Sequence, residues 1–248
     1  MYQTGLVSIS FRTLSPEQIV KAMVGCGLKY VEWGSDVHAP CTDDARLAEV
    51  AQLQQQYGVT CCSYGTYFRL GVNPVEEFTD YLKAAKVLGT KMLRIWAGKG
   101  KVEVMTPEWR KMIIEEGKKV ARLAEEAGLI VCTECHRNTM TETKEFALEL
   151  MEGVNSPAFR TYWQPNPSIT LAENLEYIQL LKPYVTNLHV FHRVDDKAVP
   201  LALGEEDWKA YFAEFSHDRA ALLEFMPDGL VESLPTEAAT LLGLVGQA

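Results

Sequence analysis

The sequence predicts a single closed (β/α)8 barrel of the α/β class, and three features of the chain support this fold. Short β-rich runs alternate with longer helical patterns from end to end, which indicates a parallel sheet. Eight such units fit into 248 residues, about the length of one eight-stranded barrel. No stretch is dominated by Gly, Ser or Pro, so we expect residues 1–248 to form one domain.

Eight short runs rich in β-branched, aromatic and other apolar residues are the strand candidates. A helical pattern follows each of them, so all eight strands are expected to run in the same direction. In chain order the runs are 6–11, 30–34, 59–65, 92–98, 130–136, 159–166, 185–192 and 221–226.

Capping residues mark the ends of several predicted helices. The first helix begins with the capping-box pattern Ser15–Gln18 and ends near residues 25–27, where two glycines occur. The second and third helices end at Gly58 and Gly89, just before new strands. The fourth runs from Thr106 to Gly128, with apolar residues at helical spacing on one face.

Composition narrows the class of protein. A net charge of −9 argues against nucleic acid as a partner, because phosphate-backbone binding requires clustered Lys and Arg. No apolar run approaches the roughly 20 residues that span a bilayer, and the start of the chain lacks the basic region of a secretory signal. The six cysteines are therefore expected to be reduced thiols in a cytoplasmic protein.

Four of the predicted strands end in a residue that can hold a divalent metal or move a proton. These residues are Glu134, Gln164, His189 and Glu224, spaced 30, 25 and 35 residues apart. This spacing is the length of one strand-plus-helix unit, so a parallel barrel would bring all four to the rim where such folds carry their chemistry. Carboxylate, imidazole and amide groups together suit one hard or borderline divalent cation.

Strand alternation supports an inward position for these side chains. Placing Glu134 inward sends Thr133 outward, and placing Glu224 inward leaves Leu223 to pack on the helices. A charged Glu between apolar neighbours is costly unless it is paired or bound to a metal. The alternative to a metal site is a structural Glu–Arg pair inside the barrel wall, for which Arg94 is available.

Two acidic or basic residues near the second strand are candidate substrate contacts. Glu32 ends this strand, and it could pair with Arg94 or bind a substrate hydroxyl. His38 follows in the loop and is either solvent-exposed or a substrate contact.

Further candidates lie at the fourth, fifth and seventh strands. Arg94 and Trp96 share one face of the fourth strand and suit a sugar-binding wall, although Trp96 could equally be a packing residue. His136 shares the inward face of Glu134 and is expected in the pocket. Arg193 is either a contact for an anionic or hydroxyl-rich end of the substrate or a solvated loop charge.

These motifs together resemble the xylose isomerase-like TIM barrels. The matching segments are EWGSDVH at 32–38, TECH at 133–136, NLHVFH at 187–192, LGEED at 203–207 and LLEF at 222–225. The resemblance is strongest to the sugar phosphate isomerases and epimerases, which include ketose 3-epimerases. It extends over essentially the whole chain, and the order of polar residues at the last four strand ends is fairly specific.

The resemblance implies one manganese, magnesium, zinc or cobalt ion held by Glu134, His189 and Glu224. It also implies that the two glutamates act as the catalytic acid and base. The family's remaining ligand is an Asp, which corresponds to Gln164 here. An amide oxygen brings no charge, so we expect the metal to bind more weakly than in the family.

A second departure from the family pattern lies three residues further along. The family's substrate-facing His corresponds to Pro167 in this chain. Asn166 is expected to supply part of the missing hydrogen bonding to substrate.

The expected function is isomerisation or epimerisation of a sugar or sugar phosphate by enediolate proton transfer between Glu134 and Glu224. Two alternatives stay open, namely a lyase such as a dehydratase of a polyol ketone, and a degenerate barrel that binds sugar without turnover. The expected partner is a small carbohydrate, with no nucleic acid and no membrane. Barrels of this type often pair through their helical faces, so the sequence is compatible with a homo-oligomer.

Overall fold

The computed structural model shows a closed barrel of eight parallel strands and describes residues 2–216 and 218–247. Each strand pairs with its neighbour in the chain, and the first pairs with the eighth through Gln3 and Ala220, which closes the sheet. The barrel strands are Gln3–Val7, Tyr30–Gly34, Thr60–Arg69, Met92–Trp96, Ile130–Glu134, Phe159–Trp163, Val185–Val190 and Ala220–Leu223. The (β/α)8 prediction is therefore confirmed.

Eight helices follow the strands in order and form the outer ring. They are α1 Pro16–Gly25, α2 Asp44–Tyr57, α3 Phe78–Leu88, α4 Pro107–Ala127, α5 Lys144–Val154, α6 Leu171–Leu181, α7 Glu205–Ala213 and α8 Leu234–Gln247. Helix α1 has the expected capping box between Ser15 and Gln18. Gly58, Gly89 and Gly128 end α2, α3 and α4 in the left-handed conformation. No helix among the described residues is long and apolar enough to cross a membrane.

Several strand ends differ from the prediction, and at two places the type of structure differs as well. The first strand was expected at 6–11, but it covers Gln3–Val7 and turns into the 3-10 helix Ser8–Phe11. The turn is held because the Gly34 N–H donates to Ser8 Oγ at 2.9 Å. After the seventh strand, His192–Val194 and Lys197–Val199 form an antiparallel hairpin that the sequence analysis missed.

Side chains alternate between the barrel interior and the helices, as expected for a closed parallel sheet. Trp163 points outward and contacts Trp208 and Tyr211 of α7, with ring centroids 6.1 Å and 4.9 Å away. In contrast, Glu32 and Arg94 are fully buried inside the barrel. The apolar core therefore lies between the strands and the helices, whereas the barrel interior carries the charged groups.

The first strand approaches the second too closely for any side chain at position 5. A Cβ atom on Gly5 would lie 2.0 Å from the carbonyl oxygen of Tyr30 and 2.8 Å from Leu222 Cδ2. We expect Gly5→Ala to lower the free energy of unfolding by about 1–3 kcal/mol or more, because the barrel must open to admit the methyl group. Urea denaturation followed by circular dichroism measures this change.

Gly25→Ala is the matched control for this substitution. A Cβ atom at Gly25, the last residue of α1, would meet nothing within 4 Å. This variant should be unchanged or more stable by up to about 1 kcal/mol, since Ala is the better helix former. Equal denaturation curves for the two variants would show that the barrel tolerates a side chain at position 5.

Candidate active site

Three predicted metal ligands lie together at the carboxyl ends of the strands. Glu134 ends the fifth strand, His189 lies near the end of the seventh, and Glu224 directly follows the eighth. His189 Nδ1 is 3.5 Å from Glu134 Oε1 and 3.6 Å from Glu224 Oε2. One ligand atom from each of the three residues lies within 4.8 Å of the others. All three side chains are almost completely buried.

Gln164 joins this cluster from the loop after the sixth strand. Its Oε1 atom lies 3.3 Å from His189 Nδ1. Two carboxylates and one imidazole nitrogen thus lie within 4.8 Å of one another, and the Gln164 amide oxygen lies beside the imidazole. Such a donor set suits a divalent cation, whose bonds to oxygen are about 2.0–2.6 Å long. The cluster therefore fits the metal site predicted from the sequence.

The opposite nitrogen of the His189 ring faces Glu32. His189 Nε2 lies 3.5 Å from Glu32 Oε2, and Ser63 donates to the same oxygen at 2.7 Å. A carboxylate on the far side of a ligating imidazole fixes the orientation of the ring and its tautomer. Glu32 is thus placed to support His189 from behind.

Arg94 connects the two glutamates on either side of the ring. Its Nε lies 3.3 Å from Glu32 Oε1, and its Nη1 lies 3.1 Å from Glu134 Oε2. The structural Glu–Arg pair considered as an alternative to metal binding is therefore present, but it involves only one oxygen of Glu134. The other oxygen faces His189, so pairing with Arg94 and a role as a metal ligand are compatible.

The electrostatic environment separates the two glutamates of the cluster. Burial alone would raise the pKa of Glu134, but Arg94 and the His189 ring hold it well below its usual range. Burial and the neighbouring Glu134 charge raise the pKa of Glu224 to about 7, although His189 opposes this shift. Two carboxyl groups with divergent pKa values are the pattern expected of an acid and base pair.

The cluster forms the inner end of a cavity of about 330 Å³. Trp96 lies on its wall between two guanidinium groups, with Arg69 4.1 Å and Arg94 4.5 Å from the ring centroid. Tyr67 meets Trp96 edge-on at 5.1 Å, and the His136 ring lies 5.9 Å away. Aromatic faces beside convergent polar groups are suited to a small polyhydroxylated ligand.

Most of the predicted substrate contacts line this cavity. Arg94, Trp96, His136, Asn166 and Arg193 all do so. His136 and Asn166 belong to loops rather than to strands, because the fifth and sixth strands end earlier than expected. The substrate-binding roles of these five residues stay predictions.

Glu32 and His38 are not among the residues that line the cavity, so their substrate-binding roles stay predictions without a contact to support them. Glu32 is fully buried beneath the cluster and pairs with Arg94 and His189. His38 is buried behind the first strand, with its Nδ1 atom 3.0 Å from Ser8 Oγ. Burial is also the main cause that lowers the pKa of the His38 imidazole.

Several cavity residues were not expected from the sequence. Arg12 reaches the cavity from the 3-10 turn after the first strand, where it contacts Asp36 and Tyr67. Phe225 and Arg137 lie directly beside predicted site residues, so their position next to Glu224 and His136 was the available signal. Arg12 and Tyr67 have no predicted site residue next to them in the chain, so nothing in the sequence indicated that they lie in the cavity.

The chain belongs to the xylose isomerase-like TIM barrel family. The family model matches residues 20–227, which include the cluster and its supporting residues. No match was found among curated protein sequences.

Solved structures with the same fold include enzymes of more than one reaction class. The probable 3-DHS dehydratase AsbF from Bacillus anthracis is 18% identical, with a TM-score of 0.84 over 98% of this chain and 99% of that chain. D-allulose 3-epimerase from Methylomonas sp. in complex with D-allulose is 14% identical, with a TM-score of 0.72 over 99% and 96%. A xylose isomerase-like TIM barrel protein from Mycobacterium smegmatis in complex with magnesium is 13% identical, with a TM-score of 0.72 over 100% and 97%.

The position of Glu32 behind His189 gives a direct test of its supporting role. Glu32→Gln leaves Arg94 without one of its two buried counter-charges and removes the carboxylate behind the ring. We expect a loss of about 3–5 kcal/mol in the free energy of unfolding. Affinity for Mn²⁺ should fall by about 10–100-fold, because the His189 ring loses its outer partner. Urea denaturation and calorimetric titration with Mn²⁺ measure the two effects.

Glu49→Gln removes the same charge from an exposed pair and is the control. Glu49 lies 3.0 Å from Arg46 on the solvent side of α2, with about half of its side chain exposed. Its stability should change by less than about 0.5 kcal/mol. If the Glu32 variant behaved in the same way, the buried network would have no supporting role.

Proposed function

We propose that the protein is a metal-dependent isomerase or epimerase that moves a proton on a sugar or sugar phosphate. The observation that carries this proposal is the arrangement of two carboxylates around one imidazole nitrogen at the inner end of the cavity. Glu134 and Glu224 both lie within 3.6 Å of His189 Nδ1, and they reach this point from different strands.

The positions of the two carboxyl groups suit proton transfer by these residues. Glu134, which pairs with Arg94, acts as the base that removes the hydrogen from the carbon beside a carbonyl group. Glu224, which reaches His189 Nδ1 from the end of another strand, acts as the acid that returns a proton. Return to the opposite face of the same carbon inverts the centre, whereas return to the neighbouring carbon moves the carbonyl group.

A bound divalent ion supplies Lewis-acid stabilisation of the negative charge that develops on the substrate oxygens. Glu134, Gln164, His189 and Glu224 are the residues that would hold it. Trp96 and Tyr67 provide ring faces for the carbon skeleton, and Asn166 provides an amide for a hydroxyl group. His136, half-buried at the cavity wall, is placed to orient a second hydroxyl.

A lyase that removes water from a polyol ketone is the second candidate. The specific observation in its favour is the position of Glu224, a buried carboxyl group at the cavity wall beside His189, from which it can donate a proton to a departing hydroxyl group. The same base, Glu134, would remove the hydrogen beside the carbonyl in both reactions. The fold likeness to both a probable dehydratase and an epimerase does not choose between them.

Incubation in D2O distinguishes these reactions. The protein with Mn²⁺ is offered ketoses, ketose phosphates and cyclic polyol ketones, and the products are analysed by mass spectrometry and NMR. We expect deuterium at the carbon beside the carbonyl group without loss of water. Glu134→Gln and Glu224→Gln should each reduce this exchange by about 10²–10⁴-fold, the usual contribution of a general acid or base.

Glu126→Gln, on the exposed side of α4, is the control and should exchange at the wild-type rate. Loss of water from a substrate would favour the lyase instead. Full exchange activity in either of the two site variants would rule out the acid and base roles. The absence of both exchange and water loss across the panel would favour a barrel that binds sugar without turnover.

The amide at position 164 gives a prediction for metal affinity. Gln164→Glu keeps the length of the side chain and adds a carboxylate beside His189 Nδ1. Affinity for Mn²⁺ should rise by about tenfold or more, because ligand charge governs the binding of hard cations. Calorimetric titration of the metal-free protein measures the change without reference to turnover.

Asn166→Asp adds the same charge two residues away and is the matched control. The Asn166 side chain accepts from the Ser168 N–H at 3.0 Å and is not part of the cluster. Its effect on Mn²⁺ affinity should be less than about threefold, because only long-range attraction changes. An equal gain in both variants would mean that Gln164 does not contact the ion.

A further inference from the structure

The mouth of the cavity carries three arginines, and they differ in their partners. Arg12 pairs with Asp36, and Arg137 lies 3.3 Å from Asp196 Oδ1. Arg193, on the hairpin after the seventh strand, donates only to the backbone carbonyl of Asp196, at 3.0 Å. Among the described residues, no carboxylate pairs with the Arg193 guanidinium. Its positive charge is therefore available to a ligand.

Two aromatic rings hold this guanidinium in place. Its central carbon lies 5.5 Å from the centroid of Phe191 and 5.4 Å from that of Phe225. Contact with ring faces restricts the motion of the guanidinium group but leaves its N–H donors free at the edges. The planar group is thus oriented in advance, as suits a bidentate contact with carboxylate or phosphate.

The backbone of Phe225, which carries one of these two rings, has a strained conformation. Its φ angle is 59°, in the left-handed region that bulky residues rarely adopt. The conformation is fixed because the Phe225 N–H donates to Ser10 Oγ at 2.9 Å. Strain of this kind persists where the surrounding structure enforces it, and it concentrates at functional sites. Here it turns the ring toward Arg193 immediately after the Glu224 carboxyl group.

Charge elsewhere in the cavity limits where an acidic group can bind. The inner end carries the Glu134 and Glu224 carboxyl groups, which disfavour a second anion beside them. Arg94 is already engaged by Glu32 and Glu134, so it is not free to bind one. Among the described residues that line the cavity, Arg193 is the arginine without a carboxylate partner.

We propose that Arg193, in contact with the rings of Phe191 and Phe225, recognises an acidic group of the substrate, either a carboxylate or a phosphate. The acidic group binds at the mouth, while the carbonyl end of the same molecule lies beside Glu134 and Glu224. This assignment deepens the proposed function and rests on it for the direction in which the substrate lies. It narrows the substrate class from sugars in general to acidic sugars or polyols.

Matched pairs of ligands test this inference by equilibrium binding. Fructose 6-phosphate is compared with fructose, and quinate with its methyl ester, by calorimetry on the Mn²⁺-loaded protein. We expect at least one acidic ligand to bind tenfold or more tightly than its neutral partner. Arg193→Gln should remove at least tenfold of this affinity while changing the neutral ligand less than twofold. Tighter binding of fructose 6-phosphate than of fructose would identify phosphate as the recognised group. Tighter binding of quinate than of its ester would identify carboxylate.

Arg122→Gln is the matched control, because it removes the same charge from the exposed side of α4, outside the residues that line the cavity. It should change the binding of the acidic ligand less than threefold. Phe225→Gly relieves the left-handed strain and removes one ring, so it should lose selectivity for the acid without loss of thermal stability. A purely structural role of Phe225 would leave the selectivity unchanged.

Two results would overturn the inference. One is equal binding of acidic and neutral ligands by the wild-type protein in both pairs, or no binding of any of the four. The other is an Arg193→Gln variant in which the affinities for the acidic ligand and for its neutral partner fall by the same factor. The measurement does not depend on turnover. Acid-selective binding without deuterium exchange would therefore contradict the proposed reaction and leave the role of Arg193 intact.

Discussion

The His189 imidazole, held between carboxylates on both of its nitrogens, is the interaction on which the rest of the site depends. Glu32 faces Nε2, while Glu134 and Glu224 face Nδ1. Burying these groups is costly unless each is compensated, and Arg94 compensates two of the three glutamates. The closed barrel makes this arrangement attainable, because residues far apart in the chain meet on adjacent or facing strands. The Nδ1 side, which faces Glu134, Gln164 and Glu224, is then directed toward the residues that line the cavity.

The fold and the convergence of Glu134, His189 and Glu224 could be predicted from the sequence because they follow from periodic rules. Alternating strand and helix patterns fix the barrel, and the caps at Ser15 and Gly58 mark helix ends by local hydrogen bonding. The hairpin after the seventh strand obeys no such rule. Its turn uses Asp195 and Asp196 in the left-handed conformation, for which an Asp–Asp pair is a weak signal beside Asn–Gly or Asp–Gly. Arg193 lies on this hairpin. The sequence therefore indicated it as a candidate residue but did not predict where its side chain lies.

Glu32 and His38 show a different limit of strand-pattern reasoning. Alternation states which face of the sheet a side chain takes, but not its depth along the barrel axis. Glu32 does point inward, yet it lies below the cavity because Arg94 and His189 cover it. His38 follows a strand end, where loops usually contribute to the site. The early turn at Ser8–Phe11 brings the hydroxyl of Ser8 to its ring and draws it into the wall instead.

Charge balance connects the amide at position 164 with the arginine at the mouth. Arg94 offsets one charge of the Glu32 and Glu134 pair, and a divalent ion held by Glu134 and Glu224 would offset the rest. An Asp in place of Gln164 would add one negative charge at this end of the cavity, which would weaken the binding of an acidic substrate. If Arg193 binds an acidic group as proposed, an amide at position 164 favours that ligand, while a carboxylate there would favour the metal. The uncharged side chain of Gln164 and the unpaired guanidinium of Arg193 would then act on the ligand's charge in the same direction.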